Sequence, residues 1–207
     1  MRTRVLQVNP ETPDPAVIHE AAELLCRGGL VAFPTETVYG LGASLDDPQA
    51  IQELYQVKRR PFEKQVTIHI ADASAVHRHG VVVSPLAREL MHRFWPGSLT
   101  LVLPRPDGST VGFRLPRHPV ALALIREAGV PLVAPSANLS GNPPPRTAAE
   151  VLRDFVDRID AVLDGGQTPV GSSSTVLDLS GAAPRILRHG VLADQIEQAI
   201  VPGKVAS

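Results

Sequence analysis

The 207-residue sequence contains one cysteine, Cys26, so no disulfide can form within the chain and a reducing compartment suits it. Aromatic residues make up only 4% and the formal net charge is −1. Both argue against a protein that coats nucleic acid with a basic surface or stacks successive bases on rings. No apolar run approaches bilayer-spanning length, and the opening MRTRVLQVNPETPD has no long apolar stretch, so a cytoplasmic location is expected. Neither GxxxxGK[ST] nor GxGxxG occurs, which leaves the common nucleotide loops unsupported. HExxH, CxxC and a nucleophile elbow are also missing, and no protein-held metal is expected. His77 and His79 read as surface residues, and Cys26 as a small packed residue of the first helix.

What is abundant is proline, 20 residues that fall mostly at punctuation points. Asp14-Pro15 and Asp47-Pro48 read as helix caps followed by proline at the first helical position, and Ser84-Pro85 starts another helix. Asp72 caps a short helix, Pro119 to Ala128 forms another, and Thr147 with Glu150 has the spacing of a capping box. A closing helix is expected from Leu192 to Ile200. Strands are expected at Leu30–Phe33, Val66–Ile70, Leu99–Leu103, Val111–Leu115, Leu132–Ala134, Ala161–Leu163, Thr175–Leu179 and Arg185–Leu187. Helices and strands interleave without a regular βαβ repeat. The expected fold is therefore α/β (α+β), a single domain over residues 1–207 with its core at about 14–200, built on a twisted mixed sheet flanked by helices.

Five segments could carry chemistry. In PTETVYGLG, residues 34–42, a buried strand delivers Thr35, Glu36 and Thr37 to its end, and Gly40 and Gly42 would admit a ligand close to the backbone. A simple polar turn is the alternative. Lys58-Arg59-Arg60-Pro61-Phe62-Glu63-Lys64 gathers four cations in seven residues, which suits either a helix C-terminus or a phosphate clamp. His69 lies on the next strand, on the opposite face from Ile68 and Ile70. Arg114 sits in an apolar strand, where a cation must find a carboxylate, a phosphate or a ligand. APSANLSG, residues 134–141, and GSSSTVLD, residues 171–178, offer small polar groups beside strands, and Arg188 follows on the next strand.

Taken in order, PTETVYGLG, the KxRP segment leading to a strand ending in HI, FWPGSLTLVL, RLP, APSANLSG, STVLDL and ILRHG resemble the Sua5/YrdC/YwlC family from about Ala16 to Gly190. The resemblance implies a YrdC-like fold with a concave, positively charged cavity and threonylcarbamoyl-AMP synthesis from L-threonine, bicarbonate and ATP. That reaction is the first step of N6-threonylcarbamoyladenosine formation at tRNA position 37, with Mg²⁺ bridging the phosphates. It places Thr35, Thr37, His69, Arg114, Ala134 and Ser174 around threonine. It assigns Lys58, Arg60, Lys64, Thr110, Ser136, Asn138 and Arg188 to ATP, with Lys58 and Arg60 as the catalytic cations. Arg114 would hold the threonine carboxylate as a bidentate partner.

Lys64-Gln65 stands where the family often has Asn-Pro, and Pro144 where a serine is common, so any contact at 144 is left to backbone. The longer Sua5 proteins carry a further C-terminal domain that is not expected here. Partners implied are tRNA and the other proteins of this modification, with no membrane. The rival classes are a non-catalytic RNA-binding YrdC-like module and a related carbamoyl-transfer or nucleotide-hydrolysing enzyme.

Overall fold

Four helices begin the same way, with proline at the first helical position, where its missing N–H has no intrahelical partner to lose. In this computed structural model, which describes residues 2–201, they are α1 (Pro15–Cys26), α2 (Pro48–Val57), α3 (Pro85–Phe94) and α4 (Pro119–Ala128). Asp14 accepts from the Ala16 amide, Asp47 from Gln49 and Ala50, and Ser84 from Ala87, so three of the four starts are also capped by a side chain. A 3₁₀ segment, Ala73–His79, follows its own cap at Asp72. The two remaining helices are α5 (Ala148–Phe155) and α6 (Ala193–Ile200). Thr147 caps α5 as expected, but the Glu150 carboxylate reaches the amide of Arg146 rather than that of Thr147.

Ten strands form one mixed sheet. They are β1 (Arg4–Gln7), β2 (Val31–Phe33), β3 (Gly40–Ser44), β4 (Thr67–His69), β5 (Leu99–Pro104), β6 (Thr110–Arg114), β7 (Leu132–Val133), β8 (Ala161–Asp164), β9 (Thr175–Asp178) and β10 (Arg185–Arg188). Their order across the sheet is β1-β8-β2-β3-β7-β4-β6-β5-β9-β10. The expected strands are present, and two more join them. β3 is the GLGAS run, whose two glycines hide its strand character, and β1 is an exposed edge strand parallel to β8.

Three apolar clusters cover the sheet. α1 and α4 pack with Phe33, Leu132 and Leu163; α2 and α5 pack with Leu41, Val133 and Val162; α3 and α6 pack with Leu101, Phe113 and Leu177. Cys26 departs from expectation. It is exposed at the end of α1, and its thiol reaches the Ala128 carbonyl at 3.7 Å. His77 is exposed, whereas the His79 ring lies against Phe113 with centroids 5.2 Å apart. Among the described residues no helix is long and apolar enough to cross a membrane.

Gly42 is needed for packing rather than for a ligand. A Cβ there would come within 2.9 Å of the Phe33 ring and 3.3 Å of the Val31 carbonyl. Gly42→Ala should therefore cost about 1–3 kcal/mol, the usual range for overpacking a core. Urea unfolding should show this as a lowered midpoint with an unchanged slope.

Candidate functional site

A cleft of about 590 Å³, counting the open solvent at its mouth, lies where β4, β5 and β6 meet the loops after β2 and β7 and the segments at Ser173 and Arg188. Its lining includes Thr35, Gly40, Arg60, Thr67, His69, Thr100, Arg114, Ala134, Ser136, Ser174 and Arg188. Three guanidinium groups face it, and among the described residues no carboxylate lines it.

Strand register explains how residues so far apart in sequence meet. His69 is the partner of Arg114 across the parallel β4–β6 pair. Thr100 is the partner of Val176 across β5–β9, and Val176 is the partner of Arg188 across β9–β10. Paired residues project to the same face, so Arg188 shares the face of Thr100. A register irregularity between Ile186 and Arg188 makes this possible. Ile186 opposes Leu177 of the core, and one extra residue in the strand then turns Arg188 to the opposite face.

Arg114 is 5% exposed and makes a salt bridge of 2.8 Å to the Glu36 carboxylate. The same Nη2 donates to the Thr37 hydroxyl at 2.8 Å, and Nε donates to the Gly97 carbonyl at 3.3 Å. Only Nη1 has no hydrogen-bond acceptor among the described residues. Nη2 and Nε, one side of the fork expected to face a ligand carboxylate, are therefore already engaged within the protein. Thr37 lies behind this contact, with its hydroxyl 2.9 Å from that of Thr35.

The sequence places Glu36 in the polar loop after β2 without pairing it to Arg114. The signal for that pairing was the buried arginine itself, which required a carboxylate somewhere, but the partner stands 78 residues away.

Arg188 donates from Nε to the Ser174 carbonyl and from Nη2 to the Ser174 hydroxyl, both at 2.9 Å, and that hydroxyl lies 2.9 Å from Thr100 Oγ1. Burial, reinforced by Arg114 and Arg60, lowers the Arg188 pKa below its ordinary value. Arg60 donates to the carbonyls of Lys64 and Gln65 at 3.0 and 2.7 Å, which folds the 61–65 loop around its guanidinium. Arg60 and Arg188 thus have neutral partners, whereas Arg114 has a charged one.

His69 is buried, its pKa pushed down to about 3 first by loss of solvent and then by Arg114. It is neutral at physiological pH, and its Nδ1 has no hydrogen-bond partner among the described residues.

Lys58 is not among the residues that line the cavity. Its side chain is buried, and Nζ donates to the carbonyls of Ser136 and Asn138 at 2.6 Å each, beneath the turn that carries Ser136 to the cavity. Burial, then Arg60, brings its pKa down to about 7. Lys64, Thr110 and Asn138 are also absent from the lining. Lys64 accepts from Tyr55 through its carbonyl, and Thr110 donates to the Gln65 side chain at 3.3 Å. Asn138 accepts from the Ser136 hydroxyl and donates to the Leu139 and Asn142 carbonyls.

Among the described residues no group of three or more His, Cys, Asp or Glu side chains could hold a metal ion.

The family model Sua5_yciO_yrdC, described as "Telomere recombination", matches residues 23–190. A threonylcarbamoyl-AMP synthase of Bacillus subtilis is 46% identical over 202 residues, covering 92% of this chain and 58% of that protein. The crystal structure of Pyrococcus abyssi Sua5 complexed with L-threonine superposes with a TM-score of 0.90 at 40% identity, covering 96% of this chain and 61% of that one. Escherichia coli YciO superposes with a TM-score of 0.82 at 26% identity, covering 91% of this chain and 96% of that one. The chain spans less than two thirds of the length of the Bacillus and Pyrococcus relatives.

Proposed function

Because the chain belongs to the Sua5/YciO/YrdC family, we propose that it is an L-threonylcarbamoyladenylate synthase. It would convert L-threonine, bicarbonate and ATP into threonylcarbamoyl-AMP, pyrophosphate and water, for N6-threonylcarbamoyladenosine at position 37 of tRNA. The observation that carries this reading is the convergence on one cavity of Thr35, Arg60, His69, Arg114, Ser136 and Arg188, drawn from six separate segments.

In this reading the threonine amine attacks the carbon of bicarbonate or of carbon dioxide derived from it, giving N-carboxythreonine and, from bicarbonate, water. The new carboxylate then attacks the α-phosphorus of ATP, and pyrophosphate leaves. No covalent enzyme intermediate is needed. Fixing the reactants side by side can supply about 7–11 kcal/mol, and cations aimed at the phosphates stabilise the charge that develops there.

Arg60 and Arg188, which pair with no carboxylate among the described residues, suit the triphosphate. Arg114, with Thr35, His69, Ala134 and Ser174 of the same lining, suits threonine, Ser174 being shared with Arg188. Burial and then Arg114 hold His69 neutral, which suits a hydrogen bond to threonine and a shaped wall. With no carboxylate among the described lining residues, a magnesium ion enters only as a companion of the ATP phosphates, and no step is assigned to it.

The test is pyrophosphate release from ATP that depends on both threonine and bicarbonate. ATP turnover equal with and without threonine would favour a nucleotide-hydrolysing enzyme. No turnover together with salt-sensitive tRNA binding would favour an RNA-binding module. Arg60→Ala should raise the KM for ATP about 10- to 100-fold, the loss of one charged hydrogen-bonding group. Threonine affinity, read by calorimetry, should change less than about threefold.

A further inference from the structure

Glu36 is 8% exposed and binds on both oxygens. Oε1 accepts from Arg114 Nη2 at 2.8 Å and from the Ser98 hydroxyl at 3.1 Å, while Oε2 accepts from the Arg117 amide at 3.1 Å. Its own carbonyl accepts from the Val170 amide, so the residue is tied to three other segments. The carboxylate stands on the wall between the cavity described above and a neighbouring one lined by Arg93, Phe94 and Arg117. It therefore acts on the first cavity through Arg114 and not by touching what binds there.

Two consequences follow for Arg114. Its Nη2 is filled by Glu36 and Thr37, which leaves Nη1 as the donor available to a ligand. Its charge is also balanced at contact distance by a carboxylate shielded from solvent, where screening is weak. Arg114 is thus the one cavity arginine whose charge is partly compensated, whereas among the described residues Arg60 and Arg188 pair with no carboxylate.

We infer that Glu36 is a positioning and specificity-determining residue: by balancing Arg114 it makes this corner accept a zwitterion, such as a free amino acid, in preference to a simple anion. A bare cation would draw in any small anion and repel the ammonium of an amino acid held nearby. A paired arginine offers one aimed donor with a weaker field than a bare cation. The identity of the zwitterion rests on the threonine reading; the discrimination against simple anions does not.

Glu36→Gln removes the charge and keeps an oxygen for Arg114 and Ser98. Two binding measurements should separate the possibilities. Calorimetric affinity for L-threonine should fall at least tenfold in Glu36→Gln. Affinity for sulfate, used as the probe anion and read by its protection against thermal unfolding, should rise at least tenfold. Mere damage to the fold would weaken both, so a loss of sulfate binding, or no change in either, overturns the inference. Should Glu36→Gln fold poorly, the double variant Glu36→Gln/Arg114→Gln, which removes both charges, should lose the gained sulfate affinity. Persistence of that gain would also overturn the inference. If the unsubstituted protein binds no threonine, the amino-acid reading fails, while the sulfate comparison still decides the role of Glu36.

Discussion

Arg114→Ala is expected to destabilise the folded protein by about 3–5 kcal/mol, the cost of removing one partner of a buried ion pair. Glu36 would keep only the Ser98 hydroxyl and the Arg117 amide, two neutral donors in place of a cation at 2.8 Å. The same change removes the guanidinium proposed to meet threonine, so under the proposed function threonine-dependent pyrophosphate release should fall below detection even in the folded fraction. Urea unfolding followed by calorimetry with threonine would separate the two losses. Full stability would show that the pair contributes nothing to folding. Retained threonine affinity would remove Arg114 from the site.

The second large effect is expected at Lys58. Its ammonium holds two buried carbonyls, so Lys58→Met should leave the Asn138 carbonyl without a donor, at about 1–3 kcal/mol, and the Ser136 carbonyl with only the Asn138 amide. Part of this is offset, because a buried ammonium is itself costly. The pH dependence exposes that second contribution. Lys58 has a pKa of about 7 in the fold against 10.5 when exposed, so between these values the unfolded chain holds more protons. Stability from this group therefore rises with pH from about 7 to about 10.5 and is flat below 7. The difference in unfolding free energy between the unsubstituted protein and Lys58→Met should grow by a few kcal/mol across that window. A difference independent of pH would mean that Lys58 stays charged in the fold. The KM for ATP should also rise, because the turn presenting Ser136 loses its support from below.

The helices were legible in the sequence because their signals are local. Asp14-Pro15, Asp47-Pro48 and Ser84-Pro85 each place a cap and a proline side by side, and the structure starts a helix at each. β3 was not legible, since GLGAS has neither β-branched nor aromatic residues and becomes a strand only by lying between β2 and β7. β1 was missed because an exposed edge strand of four residues shows no buried face.

The site divides in the same way. That His69 and Arg114 belong to strands could be read from alternation and apolar context. Glu36 could not be matched to Arg114, because tertiary pairing leaves no periodic trace in either segment. The place of Lys58, under a turn rather than at a cavity, also depends on packing that no local pattern encodes. Arg188 reaches its face through one extra residue in β10, a feature that strict alternation would have misassigned.

The order of strands has a consequence for the newly made chain. β8 inserts between β1 and β2, β9 lies beside β5, and the cavity wall is closed by Arg188 on β10. Early strands must therefore wait, with unpaired edges, for partners synthesised more than a hundred residues later. A ribosome-bound chain halted before Arg188 would carry most of the cavity but lack one of its cations. Binding competence should thus arrive abruptly once Arg188 has joined the sheet, whatever the progress of the helices before it.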